Sequence, residues 1–286
     1  MDIAVATAFS HHTPVDFIVG AAQRLEAAGF STVWVPEHVL FFPEYESSYP
    51  YSKDGRVPGD PDGVLDPFTA LTYVAAHTST LRLGSGICLV PQRQPVYTAK
   101  MVADLDYLSG GRFDFGIGVG WLAEEFDALG ADFRSRGRRC DEYIAAMKAL
   151  WGADPVSFAG ETVDISNAQF NPKPVQSPHP PIYVGGESDP ALRRVAALGD
   201  GWYGYGVTPD ALDEHLARLD AHLEAAGRRR SEIHITISPN RSRVDPDWIP
   251  AYEAAGIDEL VMPLFAGSLE SLDRRIGDLQ QATGMG

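Results

Sequence analysis

Residues 81–121, LRLGSGICLVPQRQPVYTAKMVADLDYLSGGRFDFGIGVGW, contain two short apolar runs separated by a run with helical spacing. Residues 81–89 are rich in Leu, Ile and Gly, and their number predicts a strand buried on both faces. Apolar residues recur at helical intervals over 95–108, and Ser-Gly-Gly at 109–111 ends that helix. Residues 112–118 predict a second buried strand. This order is one βαβ unit, which implies parallel strands joined by a right-handed crossover.

Both predicted strands end in glycine. Gly84 and Gly86 close the first strand, and Gly116, Gly118 and Gly120 close the second. Glycine weakens a strand unless something must approach the backbone closely. Because α/β proteins place their sites at the carboxyl ends of parallel strands, the pattern favours a flat ligand lying across this edge. Tight packing or a bulge is the alternative that the residues leave open.

The alternation of strand and helix recurs along the chain. Six further strands are predicted, near residues 3–8, 31–35, 181–184, 201–205, 232–237 and 257–263. Residues 152–180 interrupt the rhythm and predict a small hairpin around Gly160. Eight alternations in 286 residues predict a (β/α)8 TIM barrel, one domain over 1–286 with an insertion between strands 4 and 5 at about 152–180. A doubly wound sheet is disfavoured because so many strands would normally divide between domains.

Composition argues against several classes of protein. The net charge of −16 is unsuited to nucleic acid or an anionic membrane surface. The two cysteines, Cys88 and Cys140, are too few for a disulfide scaffold and are predicted to be structural thiols. The amino terminus lacks the basic region of a signal peptide and no apolar stretch could span a bilayer, so we expect a cytoplasmic protein. No metal-ligand spacing occurs, and no metal is predicted.

His38 directly follows the second predicted strand, which places it at the carboxyl edge of the sheet. Imidazole titrates near neutral pH and suits a general acid or base, and Glu37 is a candidate to orient it. Capping a loop or packing on the next segment is the alternative for His38. Residues 39–65 form a long aromatic segment, which predicts a lid or a pocket wall. His11 and His12 follow the first strand, and at most one is expected to reach the pocket, since adjacent side chains rarely point the same way.

Several motifs resemble the bacterial-luciferase-like superfamily and, within it, the coenzyme F420-dependent oxidoreductase branch found in actinobacteria. They are Gly-Val-Gly-Trp at 118–121, Glu-Glu-Phe at 124–126, Gly-Arg-Arg at 137–139, Gly-Gly-Glu-Ser at 185–188 and Leu-Gly-Asp-Gly-Trp at 198–202. The resemblance covers nearly the whole chain and implies a TIM barrel with an insertion. It also implies an 8-hydroxy-5-deazaflavin cofactor, F420, whose chemistry is hydride transfer.

The resemblance implies roles for individual residues. Gly86 and Ile87 stand where the family often has a non-prolyl cis peptide that bulges behind the deazaflavin ring. The residues expected to line the ring and the ribityl chain are Gly118, Gly120 and Trp121. The residues expected to meet the phosphate at a helix N-terminus are Gly185, Gly186 and Ser188, for which an ordinary glycine turn capped by serine is the alternative.

His38 matches a histidine that transfers a proton in sugar-phosphate dehydrogenase relatives, whereas Trp121 replaces their catalytic glutamate. The same sugar substrate is therefore not expected. Glu124 and Glu125 lie near this position but on a helix, where solvation alone would explain them. Four arginines between 134 and 139 could meet the phosphate and polyglutamate tail of F420; a solvated face pairing with Asp141 and Glu142 is favoured.

The sequence thus predicts an F420-dependent oxidoreductase that transfers a hydride between the deazaflavin and a small organic substrate, with His38 and Glu37 as catalytic residues. The alternative is an FMN-dependent luciferase-like monooxygenase that uses O2 and a separate flavin reductase. A non-catalytic flavin-binding barrel is more distant. Relatives are often dimers, so a homodimer is expected, with neither nucleic acid nor membrane as a partner.

Overall fold

The computed structural model describes residues 1–58, 61–241, 243 and 245–285. Its strands are β1 (Asp2–Ala6), β2 (Thr32–Val35), β3 (Arg82–Ser85), β4 (Cys88–Leu89), β5 (Phe113–Gly118), β6 (Val156–Ala159), β7 (Asp164–Ala168), β8 (Ile182–Gly185), β9 (Gly201–Tyr205), β10 (His234–Ser238) and β11 (Glu259–Pro263). Strands β1, β2, β3, β5, β8, β9, β10 and β11 pair in parallel, and the pairing of β3 with β5 closes the ring. The predicted (β/α)8 TIM barrel is confirmed.

Helices alternate with the barrel strands. They are α1 (Val15–Ala27), α2 (Pro67–Ala75), α3 (Pro95–Ser109), α4 (Ala123–Ala128), α5 (Arg136–Trp151), α6 (Asp189–Leu198), α7 (Pro209–Ala225), α8 (Trp248–Ala254) and α9 (Leu269–Thr283). Asp66 begins α2 by accepting a hydrogen bond from the backbone N–H of Thr69 at 3.0 Å, as the Asp-Pro pair predicts. Gly110, at φ +69°, ends α3 in the left-handed conformation that favours glycine.

A tryptophan fills the inside of the barrel and explains two of the strand glycines. Trp34 is buried and packs edge-on against Tyr183 and Tyr203. A Cβ at Gly84 would lie 2.2 Å from the Trp34 ring, and one at Gly116 would lie 2.0 Å from the carbonyl oxygen of Ser85. The absence of a side chain at these two glycines therefore makes room for other parts of the protein. For them, tight packing rather than a ligand explains the glycine.

The interruption between β5 and β8 is the predicted hairpin, since β6 and β7 form a separate antiparallel sheet. Residues 39–65, which we call the lid segment, contain no helix or strand among those that the structure describes; positions 59 and 60 lie outside the described residues. The cysteines Cys88 and Cys140 are fully buried, and burial raises the pKa of both thiols.

Candidate active site

A cavity of about 450 Å³ lies at the carboxyl ends of the barrel strands. Its walls come from the residues that follow β2, β3, β5 and β8, from β9 and from the lid segment. The lining residues are Pro36, Glu37, His38, Tyr49, Pro50, Tyr51, Gly86, Ile87, Leu89, Val119, Gly120, Trp121, Gly185, Gly186, Glu187, Ser188, Ala191, Tyr203 and Tyr205. The structure thus brings together every residue predicted for the site except Gly118.

The strand β3 is interrupted by a bulge before β4. The Gly86–Ile87 peptide bond is cis, as the resemblance implies. The side chain of Ile87 covers the end of β5, so that a Cβ at Gly118 would lie only 2.0 Å from Ile87 Cδ1. A Cβ at Gly185 would lie 3.0 Å from the same atom. Gly118 therefore lies beneath Ile87 and makes room for a side chain that faces the cavity.

His38 is held by a buried carboxylate. Its Nδ1 atom lies 3.2 Å from Oε2 of Glu125, whose side chain is wholly buried while 16% of the His38 side chain is exposed. Glu125 Oε1 accepts hydrogen bonds from the backbone N–H groups of Val39 at 2.6 Å and Leu40 at 3.0 Å. Glu125 is therefore not merely solvated on its helix, because it fixes both the histidine and the first residues of the lid segment.

Glu37 lines the cavity, but its carboxylate has other partners. Its Oε2 accepts from the N–H of Leu89 at 2.6 Å, and its Oε1 accepts from Nε of Arg93 at 2.6 Å. Arg93 also pairs with Asp66, the residue that begins α2. Glu37 thus ties the end of β2 to β4 and to α2, while the carboxylate bonded to the His38 ring is that of Glu125.

Aromatic rings of the lid segment pack on Trp121 at one side of the cavity, which Tyr49 lines. Tyr45 and Tyr49 pack edge-on against Trp121, with ring centroids 5.5 and 5.2 Å away. Glu124 anchors the same part of the lid segment, because its Oε1 accepts from the N–H groups of Glu46 and Ser47. Hydrogen bonds from the hydroxyl of Ser47 and from these N–H groups outweigh the effect of burial and lower the pKa of Glu124 to about 2.

A half-buried carboxylate, Glu187, closes the opposite side of the cavity. Its Oε1 accepts from the N–H of Tyr205 at 2.6 Å, and its Oε2 accepts from the hydroxyl of Tyr51 at 3.1 Å. The rings of Tyr51 and Tyr205 pack edge-on at 4.7 Å. Burial raises the pKa of Glu187, and burial also raises the pKa of Tyr51. The lid segment is therefore attached to the barrel on both sides of the cavity.

The loop after β8 leads into the N-terminus of α6. Gly186 has φ +112°, a conformation that favours glycine, and its carbonyl accepts from Nε1 of the buried Trp202 at 2.9 Å. Ser188 precedes α6 and accepts from the N–H of Ala191 at 3.4 Å, so it does act as the N-cap. Since its oxygen accepts, its hydroxyl hydrogen stays available to donate.

His11 and His12 do not line the cavity. Both rings face Asp62, with Nε2–Oδ2 distances of 3.7 and 3.0 Å. The expectation that at most one of them reaches the pocket therefore holds. The reason given for it does not, because the two residues lie in a turn, where the alternation of a strand does not apply. The three ligand atoms lie within 4.8 Å of one another at the surface, and the absence of a metal stays a prediction.

The structure gives the arginines near α5 partners that the sequence did not indicate. Arg138 lies 3.4 Å from Glu161, and Arg136 donates to the carbonyl of Gly120 at 3.3 Å. Asp141 pairs instead with Arg194, and Glu142 accepts from the backbone of the hairpin insertion.

Four residues of the site were not predicted as site residues from the sequence: Glu125, Glu187, Tyr203 and Tyr205. The position of Glu125 in the sequence did indicate a site residue, because it stands in the first turn of the helix that follows the end of β5. Its partners His38, Val39 and Leu40 are 85 to 87 positions away along the chain, a separation that no local pattern reveals.

A sequence profile of the luciferase-like monooxygenase family matches residues 1–242. The chain is 34% identical to an uncharacterized protein of Mycobacterium tuberculosis over 254 residues, 87% of this chain and 85% of the relative. It is 32% identical to an FMNH2-dependent dimethylsulfone monooxygenase of Pseudomonas putida over 169 residues, 58% of this chain and 46% of the relative. It is 26% identical to a 5,10-methylenetetrahydromethanopterin reductase of Methanolobus tindarius over 264 residues, 92% and 72% of the two chains.

Two solved structures share the fold. One is a monooxygenase of Streptomyces bottropensis, with a TM-score of 0.77 at 20% identity, covering 99% of this chain and 98% of that one. The other is an F420-dependent secondary alcohol dehydrogenase in complex with an F420–acetone adduct, with a TM-score of 0.77 at 17% identity and the same coverage. Within the part of the chain that the structure describes, no helix has the length and apolarity to cross a membrane.

Proposed function

The chain belongs to the luciferase-like monooxygenase family, and on this basis we propose that it is an F420-dependent oxidoreductase acting on a small, uncharged organic substrate. One observation carries the proposal: His38, held by a buried carboxylate, stands in the same cavity as the apolar side chain of Ile87. Reduction of a carbonyl needs a hydride and a proton, and this arrangement supports a proton donor beside the surface where a planar cofactor would lie.

The residues present fit a deazaflavin. Ile87 offers an apolar surface, and Gly185 and Gly186 keep the adjoining loop free of side chains. The hydroxyl of Ser188 and the first N–H groups of α6 suit an anionic group such as a phosphate. We propose that Gly120 and Trp121 complete the binding surface. When bound, F420 would supply two-electron hydride chemistry.

The cavity walls favour an uncharged substrate. Tyr49, Tyr51, Tyr205 and Trp121 contribute aromatic rings, and none of the described residues that line the cavity is Lys or Arg. A phosphorylated sugar would find no cation in this lining. The acidic groups there, Glu37 and Glu187, are engaged by other residues.

His38 would give a proton to the substrate oxygen during reduction, or accept one during oxidation. The lid segment would exclude water, because Glu124, Glu125 and Glu187 attach it to the barrel on both sides. Exclusion of water strengthens the interactions of the reacting groups and protects the hydride from side reactions.

A second candidate is an FMN-dependent monooxygenase. The similarity to the FMNH2-dependent dimethylsulfone monooxygenase favours it, although that match spans less than half of the relative. The two candidates differ in the cofactor that should bind more tightly.

The experiment is a parallel titration of the purified protein with F420 and with FMN, followed by tryptophan fluorescence. We expect tighter F420 binding, and quenching that is weaker in W121F than in the parent protein. Trp248 lies in α8, outside the cavity, so W248F should retain the parent's quenching. Tighter FMN binding with oxygen uptake would move the assignment to the monooxygenases. Binding of neither cofactor would refute the proposed function.

A further inference from the structure

Glu125 joins two parts of the site through the two oxygens of one carboxylate. Its Oε1 accepts from the N–H groups of Val39 and Leu40, which begin the lid segment. Its Oε2 accepts from Nε2 of Gln92 at 2.9 Å and lies 3.2 Å from Nδ1 of His38. The side chain is completely buried, so these groups take the place of water around the charge.

The carboxylate is ionised at neutral pH. Burial by itself would raise the pKa of Glu125, but the hydrogen bonds from His38, Gln92 and Leu40 outweigh it and lower that pKa. An ionised carboxylate can only accept hydrogen bonds. The Nδ1 atom of His38 must therefore be the donor, and in the neutral ring the other nitrogen, Nε2, then carries a lone pair.

We propose that Glu125 is a positioning residue that holds neutral His38 in its Nδ1–H tautomer, leaving Nε2 as the atom that exchanges a proton in the cavity. The tautomer follows from contacts within the protein without its cofactor. The role of Nε2 in catalysis rests on the function proposed above. The same carboxylate sets the position of the lid segment, so the proton-exchanging atom and the start of the lid segment share one anchor.

The variant E125Q tests this arrangement with little change of shape. The N–H groups of Val39 and Leu40 still need an acceptor, so the amide oxygen of the new glutamine should face them. The NH2 group of the new glutamine then faces His38 Nδ1. Because an NH2 group only donates, Nδ1 must be the acceptor of this hydrogen bond. The neutral ring should switch to the Nε2–H tautomer, and Gln92 should turn its own amide oxygen towards the new donor.

The tautomer is measured by ¹⁵N NMR of protein labelled at its histidines, without cofactor, at a pH where His38 is neutral. The His38 signals are identified by their absence from H38N. We expect Nδ1–H in the parent protein and in E124Q, a matched control whose parent carboxylate binds the lid backbone at Glu46 and Ser47. We expect Nε2–H in E125Q.

An Nε2–H tautomer in the parent protein would overturn the proposal. This measurement is made on the parent protein and so does not depend on whether any variant folds. An unchanged tautomer in a folded E125Q would overturn it as well. In turnover assays E125Q should lower kcat at least tenfold, with KM and F420 affinity within about twofold of the parent. Failure to bind F420 would refute the proposed function and leave the tautomer result standing, so the two failures are distinguishable.

Discussion

Replacing Gly118 by alanine should push Ile87 out of its position in the cavity. The added Cβ would lie 2.0 Å from Ile87 Cδ1 and 3.1 Å from Cγ1, whereas carbon atoms in contact prefer about 3.5–4.0 Å. The overlap is therefore about 1.5 Å or more at one atom. Because Cδ1 is the far end of a flexible side chain, we expect Ile87 to rotate rather than the strand to break.

Overpacking of this kind costs about 1–3 kcal/mol. In a chain of this size that corresponds to a fall in melting temperature of roughly 2–6 °C, measured by calorimetry or circular dichroism. Ile87 faces the cavity, so G118A should also weaken cofactor binding, by roughly two- to tenfold if half of that cost is transferred to the complex.

The matched variant is I87V, which removes Cδ1 and with it the 2.0 Å contact. The double variant G118A/I87V should recover most of the stability lost in G118A, giving a coupling free energy of about 1 kcal/mol or more in the double-mutant cycle. Additive effects of the two substitutions would contradict the proposed contact. So would a G118A protein whose stability and cofactor affinity match those of the parent.

Three further results are expected. His38→Asn should lower turnover by about 10²–10⁴-fold with cofactor affinity unchanged, and full turnover in this variant would exclude proton transfer by His38. The carboxylate of Glu26 accepts from the backbone of residues 79–81, which lowers its pKa from 4.5 to about 2 although burial opposes this. Its contribution to stability is thus fully present above pH 4.5 and is lost as the pH falls towards 2. In urea unfolding, E26Q should therefore lose less free energy of unfolding than the parent protein over this range. The difference should be roughly 1 kcal/mol or less because the group is partly solvated. Gly277 lies within α9 with no atom within 4 Å of an added Cβ, so G277A should stabilise the protein by about 0.5–1 kcal/mol, and a lower melting temperature would count against this.

The barrel could be predicted from the sequence because each of its units is local. Strand, helix and turn signals recur over short distances, and Asp66 and Gly110 perform the roles that their residue types indicate. The ends of the strands could be placed in the same way, which is why most predicted site residues meet in one cavity.

The partners of those residues could not be predicted, because they come from distant parts of the chain. Glu37 adjoins His38 in sequence, but successive residues leave a strand in different directions, and Glu37 bonds to Arg93. The carboxylate that reaches His38 comes from α4. Likewise, Gly84 shows the same pattern as Gly86, and only the structure distinguishes the glycine that makes room for the Trp34 ring from the one that lines the cavity.

The way in which the lid segment is fastened has a consequence for altering substrate preference. Glu124 and Glu125 bind main-chain N–H groups, which every residue except proline provides. On this side of the cavity the attachment does not depend on the side chains of the lid residues, whereas on the other side it depends on the hydroxyl of Tyr51. Tyr49, which lines the cavity, can therefore be exchanged for rings of other sizes or for aliphatic groups without removing the anchors made by Glu124 and Glu125. A library at this position would reshape the chamber while keeping its attachment to the barrel.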